Sequence, residues 1–356
     1  MNHARPGVAG IPHVKALLRV SPEDFLVCEQ LGFEPSGEGE HAFLQLEKRE
    51  LNTADLMVQI SRLSGIARRD IGVCGMKDRH AISRQWFSVR LAGKAEPDWA
   101  ELECTGQVKV LQVQRHLRKL KRGVHKANRF ELRLRDLHGN QQDLLSRLER
   151  VRSEGVPNYF GEQRFGRQGS TLEQARQWMH DGGRKISRHK RSLFLSALRA
   201  DMFNALLAER VEAGNWNRVL CGDVCMLQGS RSLFACDTVD EVIRDRAACG
   251  DIHPGLPLWG RGRQLASSYR VQAQAAVLSD TGAACGSFLE GMGLELAYRP
   301  SRVLPDDFCW QFCDDGSLHL SFALTTGSYA TAVLVELVQY NDVKRQRVAV
   351  GGDGSE

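Results

Sequence analysis

The chain reads as an α+β protein: one strand-rich domain, residues 1–154 plus 300–356, interrupted by a smaller α/β domain over 155–299. Three observations predict this. At 356 residues the chain is longer than one core usually organises. Short apolar–polar alternating runs crowd both ends. The longest stretches with helical spacing lie in the middle, after the breaker Gly155-Val156-Pro157. With 42% hydrophobic and 26% charged residues, the composition is that of a globular protein with a sizeable core.

From the N-terminus, Val14–Val20 predicts a strand, Ser21-Pro22-Glu23-Asp24 a turn, and Phe25–Glu29 a second strand. Gly32–Glu40, with three glycines and a proline, reads as a loop, and Ala42–Glu47 as a strand. Asn52 or Thr53 caps a helix to about Leu63, with Leu56, Ile60 and Leu63 on one face. Asp70–Cys74 and Arg84–Arg90 are strand-like, as are Val108–Gln114 and Arg129–Arg135. In the last, Phe130, Leu132 and Leu134 alternate with charged residues, which predicts one buried and one charged face.

Leu144–Val151 is helical. Ser170 or Thr171 opens a helix to about Met179, and a longer one runs from about Ser192 to Ala213 with Leu195, Leu198, Met202 and Leu206 on a stripe. Short strands are expected within 217–236. Helices are expected over 240–248 and 271–292, separated by a Gly/Pro-rich connection from Pro254 to Gly262. Phe308–Phe312 and Leu318–Leu324 return to strands, Tyr329–Val338 forms a last helix, and the tail 351–356 is expected to be disordered.

Several function classes find no support. There is no P-loop, no G-x-G-x-x-G after a strand, no G-x-S-x-G and no H-E-x-x-H. No run approaches a membrane span and no signal peptide is visible, so a cytoplasmic protein is expected. Ten cysteines are scattered without a C-x-x-C. The two C-x3-C pairs, Cys221/Cys225 and Cys309/Cys313, lack nearby histidines at zinc-finger spacing, which predicts free thiols rather than a metal site.

The net charge is only +5, but the basic residues are clustered. Six of the twelve residues from Arg115 to Lys126 are Lys or Arg and none is acidic: Arg115, Arg118, Lys119, Lys121, Arg122 and Lys126. A second run, Arg184–Arg191, includes Arg188, Lys190 and Arg191. Between them, Asn158–Arg167 interleaves three aromatics with Arg164 and Arg167. Dense cationic runs beside aromatic–Arg clusters point to a polyanion, with nucleic acid the expected partner.

One short stretch carries a candidate for chemistry. Gly75-Met76-Lys77-Asp78-Arg79-His80-Ala81 stands between two strand-like runs, and a lone carboxylate among basic neighbours suits a nucleophile or base. This stretch and five others occur in the order seen in one family. They are Ser21–Phe25, Gly32–His41, Ala127-Asn128-Arg129-Phe130, Gly155–Gly166 and Gly327–Thr331. Together they resemble the TruD family of tRNA pseudouridine synthases over nearly the whole chain.

The resemblance implies a mixed, mainly antiparallel catalytic domain interrupted by a TRUD insertion domain. It implies an isomerase that detaches a tRNA uracil, most often at uridine 13, turns it and rejoins it through C5. No cofactor, metal or obligatory protein partner is implied. Asp78 matches the catalytic aspartate; attack at C1′, attack at C6 and proton abstraction from C2′ all remain open. Arg19 and Lys77 are the candidate cations that would keep it charged. Phe25, Asn128, Phe130 and Tyr329 match substrate-pocket positions. The basic residues named above, with Arg164, would hold the RNA backbone. The alternative is a tRNA-binding module or RNA chaperone without catalysis.

Overall fold

The computed structural model describes residues 6–230 and 232–344; the tail 351–356 lies outside them. The chain forms two compact units. One comprises His13–Leu144, Pro305–Gly327 and the chain from Val338; the other comprises the N-terminal residues to Pro12, Leu145–Leu304 and Ser328–Leu337.

The first unit is built on a sheet that has ten strands among the described residues. They are β1 (Lys15–Leu18), β2 (Phe25–Gln30), β3 (His41–Arg49), β4 (Ile71–Val73), β5 (Ile82–Arg90), β6 (Val108–His116), β7 (Ala127–His138), and the strands Asp306–Phe312, Leu318–Thr325 and Gln339–Asp342. The main path runs 306–312, 318–325, β7, β2, β5, β3, β6. β4 pairs with β5, and β1 lies between β7 and 339–342. Only β2–β5 and β1–(339–342) are parallel, so the sheet is mainly antiparallel, as expected.

The expected alternation in β7 is present: Phe130, Leu132 and Leu134 are buried, while Arg129, Glu131 and Arg133 turn to the other face. Burying each such apolar side chain contributes about 1.5–3 kcal/mol. The helix Thr53–Ser64 buries Thr53, Leu56 and Ile60, with Leu63 packed at the edge of the same cluster, and ends at Gly65 in the left-handed conformation (φ 64°). Gly72 in β4 is needed for close approach: a Cβ there would stand 2.5 Å from the Leu120 carbonyl oxygen. That approach seats the basic run against the sheet, where the Leu120 N–H donates to Ser88 Oγ at 3.0 Å.

The second unit packs helices Ser170–His180, Arg188–Glu212, Glu241–Ala248, Ser268–Gly291 and Ala330–Leu337 with a four-stranded antiparallel sheet in the order 233–236, 223–227, 252–258, 297–300. Its largest core gathers Phe194, Leu198, Met202, Phe203 and Leu206 of the long helix with Tyr159, Phe160 and Phe165. The aromatic cluster of 158–167 is therefore largely core.

Three elements differ from expectation. The Gly/Pro-rich segment expected to connect helices contains an interior strand, Ile252–Leu258. Pro254 lies past its pairing with 297–300, and Pro257 past its pairing with 223–227. Each proline thus has a flank where no ladder partner needs its missing N–H. The long helix starts at Arg188 rather than Ser192, because Ser187 Oγ accepts the Lys190 N–H as its N-cap. The last helix gives way at Gln339 to a strand that pairs with β1 more than 300 residues upstream, a partner no local pattern announces. All ten cysteines are free, and among the described residues no helix is long and apolar enough to cross a membrane.

Candidate active site

Asp78 sits in the connection between β4 and β5. Residues 74–81 have no regular secondary structure there. Three side chains tie this connection to the framework. Gln85 Nε2 donates to the Gly75 carbonyl at 2.6 Å, the Lys77 N–H donates to Thr53 Oγ1 at 3.0 Å, and Lys48 Nζ donates to the Asp78 carbonyl at 3.0 Å. Thr53 Oγ1 in turn donates to Gln85 Oε1 at 3.0 Å, so two of these ties share one network.

The Asp78 side chain is 46% exposed, so the carboxylate is open to a ligand rather than buried. Arg19 approaches it from beneath. The Arg19 guanidinium, with only 5% of its side chain exposed, donates to Asp78 Oδ2 at 3.1 Å and to Asp342 Oδ2 at 2.8 Å. It also lies over the Phe25 ring, 4.0 Å from the centroid. Arg19 follows β1 with φ 58°, a left-handed turn that ends the strand and aims the side chain away from its axis.

Of the two candidate cations, Arg19 is the one whose guanidinium bonds the Asp78 carboxylate. The Lys77 ammonium is held elsewhere: 2.9 Å from Glu29 Oε1 and 2.6 Å from Asn128 Oδ1. Glu29 is buried on β2 and accepts the Trp86 N–H at 3.0 Å; burial pushes its carboxyl up, against the pull of Lys77. Phe25 and Phe130 meet edge to face at 6.1 Å, and Phe130 packs on Phe322 at 5.5 Å. Asp78, Arg19, Phe25, Lys77, Asn128 and Phe130 thus all lie in the first unit.

Tyr329 belongs to the second unit, where its hydroxyl accepts from Arg164 at 2.7 Å and its ring faces Phe160. Arg164, expected on RNA, is half-buried and also donates to Ser196 Oγ at 2.9 Å. The two basic runs stay at the surface. Arg118, Lys121, Arg122 and Lys126 are exposed, Lys119 partly so, and Arg188, Lys190 and Arg191 line the exposed first turn of the long helix.

Sequence reasoning missed Lys48, Glu29, His125 and Asp342. Each is a buried polar residue whose partner comes from another element, and a charged residue in an alternating strand reads as solvent-facing. His125 shows what the tertiary structure adds. Because Asn128 Oδ1 accepts from Lys77, its Nδ2 faces His125 Nε2 at 3.2 Å, so that nitrogen is the acceptor and the ring proton lies on Nδ1.

Burial, aided by Lys77, pushes the His125 imidazole down to about 4. An unfolded imidazole takes a proton near pH 6.5, which the folded one refuses until about pH 4. Stability from this residue is therefore complete above pH 6.5 and is lost as pH falls through that window, by at most about 3 kcal/mol. Urea midpoints at pH 7 and 4.5 should differ more for the wild type than for His125→Gln; equal shifts would refute the assignment.

Comparison with known proteins shows the family. The family model described as tRNA pseudouridine synthase D (TruD) matches residues 7–176 and 170–337. The chain is 46% identical over 345 residues to tRNA pseudouridine synthase D of Methylococcus capsulatus, covering 94% of this chain and 96% of that protein. It is 44% identical over 336 residues to the protein of the same name from Nitrosococcus oceani, covering 94% of each. A crystal structure assigned to tRNA pseudouridine synthase D of Methanosarcina mazei shares the fold at 20% identity, with a TM-score of 0.69 over 94% of this chain and 96% of that one. The chain belongs to the tRNA pseudouridine synthase D (TruD) family.

Proposed function

We propose that this protein isomerises uridine to pseudouridine in tRNA, at uridine 13, with Asp78 as the essential nucleophile or base. The observation that carries the reading is the state of Asp78: an open carboxylate, one oxygen held by a buried guanidinium, on a connection tied down at three points. Family membership supports the reaction class, since the relatives named above carry that activity in their names.

The reaction needs a group that acts on ribose or base and a pocket that retains uracil while it turns. It is redox-neutral and atom-conserving: the N1–C1′ bond breaks, a C5–C1′ bond forms, and the proton leaving C5 is balanced by one gained at N1. In this reading a carboxylate oxygen of Asp78 attacks or takes a proton, while Arg19 holds Oδ2. A carboxylate fixed on one side has fewer orientations to lose on reaching the transition state.

Phe25 and Phe130, both largely buried and with Arg19 over the Phe25 ring, are the apolar wall proposed to meet a base taken out of its stack. Asn128, with its amide oriented by Lys77 and His125, is the candidate to order the base or the carboxylate. In this reading Tyr329, oriented by Arg164 within its own unit, is a further substrate-binding residue. Residues 155–299 act as the TRUD insertion within a catalytic domain of 1–154 plus 300–356.

The test is direct. Purified protein incubated with unmodified tRNA should produce pseudouridine at position 13, mapped by carbodiimide adduct stops. Formation of no pseudouridine in any tRNA, with binding intact, would favour the non-catalytic RNA-binding module instead.

The exposed Arg118, Lys121, Arg122, Lys126, Arg188, Lys190 and Arg191, with the partly exposed Lys119, are proposed to contact phosphates. Each contact releases counterions, so log affinity should fall linearly with log salt, losing about tenfold or more between 50 and 200 mM. Charge reversal at Arg118 and Arg122 together should lower the slope by about one to two units. A flat salt titration would exclude phosphate contacts of this kind.

A further inference from the structure

We propose that Lys48 is a positioning residue for Asp78, its charged ammonium holding the connection that carries the carboxylate. The inference rests on the reading of Asp78 given above and deepens it.

Lys48 is on β3, directly opposite Ser83 of β5, and its surface exposure is 0%. Its Nζ donates to three oxygens: the Leu51 carbonyl at 2.7 Å, the Asp78 carbonyl at 3.0 Å and Ser83 Oγ at 3.5 Å. None of the three is a carboxylate. A protonated amine has three N–H donors and meets all three acceptors; a neutral amine has two and can donate to only two of them.

A buried cation without a paired anion is costly, and a methionine at this position would pack without that cost. The three acceptors show where the charge is directed. They belong to the link between β3 and the helix Thr53–Ser64, the connection carrying Asp78, and β5, so one ammonium joins three parts of the framework. The Asp78 carbonyl lies in residues 74–81, which have no regular secondary structure, and accepts from Lys48. The positive charge also lies close behind the residue whose carboxylate must stay ionised.

Charged groups on neighbouring elements act on this amine. The carboxylates of Asp78 and Glu29 favour its charged form, the Lys77 ammonium opposes it, and burial opposes it most; the balance brings Lys48 down to about 8. Function and stability should therefore respond oppositely to alkali. Above about pH 8 the folded amine loses its proton while the unfolded chain keeps its own until about pH 10.4, so the contribution to stability rises with pH across that window. Catalysis should fall in the same window as the third donor and the charge are lost. A purely structural role would move activity with stability.

Lys48→Met should reduce the single-turnover rate on tRNA about 100-fold, with the dissociation constant within about threefold of wild type. Substrate titration affects both proteins equally, so the decisive quantity is the wild-type to variant rate ratio, which should shrink about tenfold or more between pH 7.5 and 9.5. A ratio constant with pH, or a Lys48→Met rate within about threefold of wild type, overturns the proposal. If Lys48→Met does not fold, Lys48→Gln, which retains N–H donors, takes its place. If neither folds, a wild-type single-turnover rate that shows no decline above pH 8 overturns it. An active Asp78→Asn would sink the underlying reading; an inert Asp78→Asn beside a wild-type-like Lys48 variant would sink this inference alone.

Discussion

Replacement of Asp78 by asparagine is expected to lower pseudouridine formation by about 10³-fold or more while tRNA affinity stays within about threefold. The substitution is close to isosteric. The amide oxygen can still accept from Arg19, so the connection keeps its ties through Lys48, Thr53 and Gln85. What is removed is the charge and the lone pair that would bond to carbon or accept a proton. Rate and affinity should separate, because Asp78 is proposed to act on the reacting atoms and the phosphates are bound elsewhere. Carbodiimide mapping of tRNA after extended incubation, with binding measured in parallel, reads both. Conversion at a rate near wild type would remove Asp78 from the chemistry.

Arg19→Met should produce the second large effect, and on two quantities at once. The guanidinium is buried between Asp78 and Asp342, whose side chain is only 8% exposed. Removing the cation leaves Asp342 buried without this counter-charge, a defect that costs about 3 kcal/mol or more. It also removes the Arg19 bond to Asp78 Oδ2 and the cation from the Phe25 face. Activity should therefore fall about 10- to 100-fold in protein that remains folded.

The double variant Arg19→Met/Asp342→Asn separates the two effects. It should recover part of the lost stability, because the buried charge is gone, but none of the activity. Arg19→Lys should be intermediate, since one ammonium cannot reproduce a planar fork that reaches two carboxylates and stacks on a ring. Thermal or urea melts and single-turnover rates on the four proteins check this. Recovery of activity in the double variant would refute the role given to the Arg19–Asp78 bond.

These two residues also mark how far the sequence could be read. The alternation of Phe130, Leu132 and Leu134 with charged residues set the buried face of β7, because side-chain direction in a strand has period two. The stripe of Leu195, Leu198, Met202 and Leu206 set the inward face of the long helix for the same kind of reason, with period 3.6. Pro254 and Pro257 misled, since a proline argues against an interior strand unless its flank is unpaired, and that is a property of the neighbours.

The sequence by itself determined the fold class, most helices and strands, the family, and Asp78 as the candidate centre, because these rest on local periodicity or contiguous motifs. Only the tertiary structure shows that Arg19 bonds the Asp78 carboxylate while Lys77 bonds Glu29 and Asn128, since the Arg19–Asp78 bond joins residues 59 positions apart. It alone revealed that Lys48 is enclosed beneath the Asp78 connection, and that His125 and Lys77 orient Asn128. A charged residue in a strand looks the same in sequence whether it meets water or a buried partner. Which one it meets is settled by the strands and loops that pack over it, and those come from distant parts of the chain.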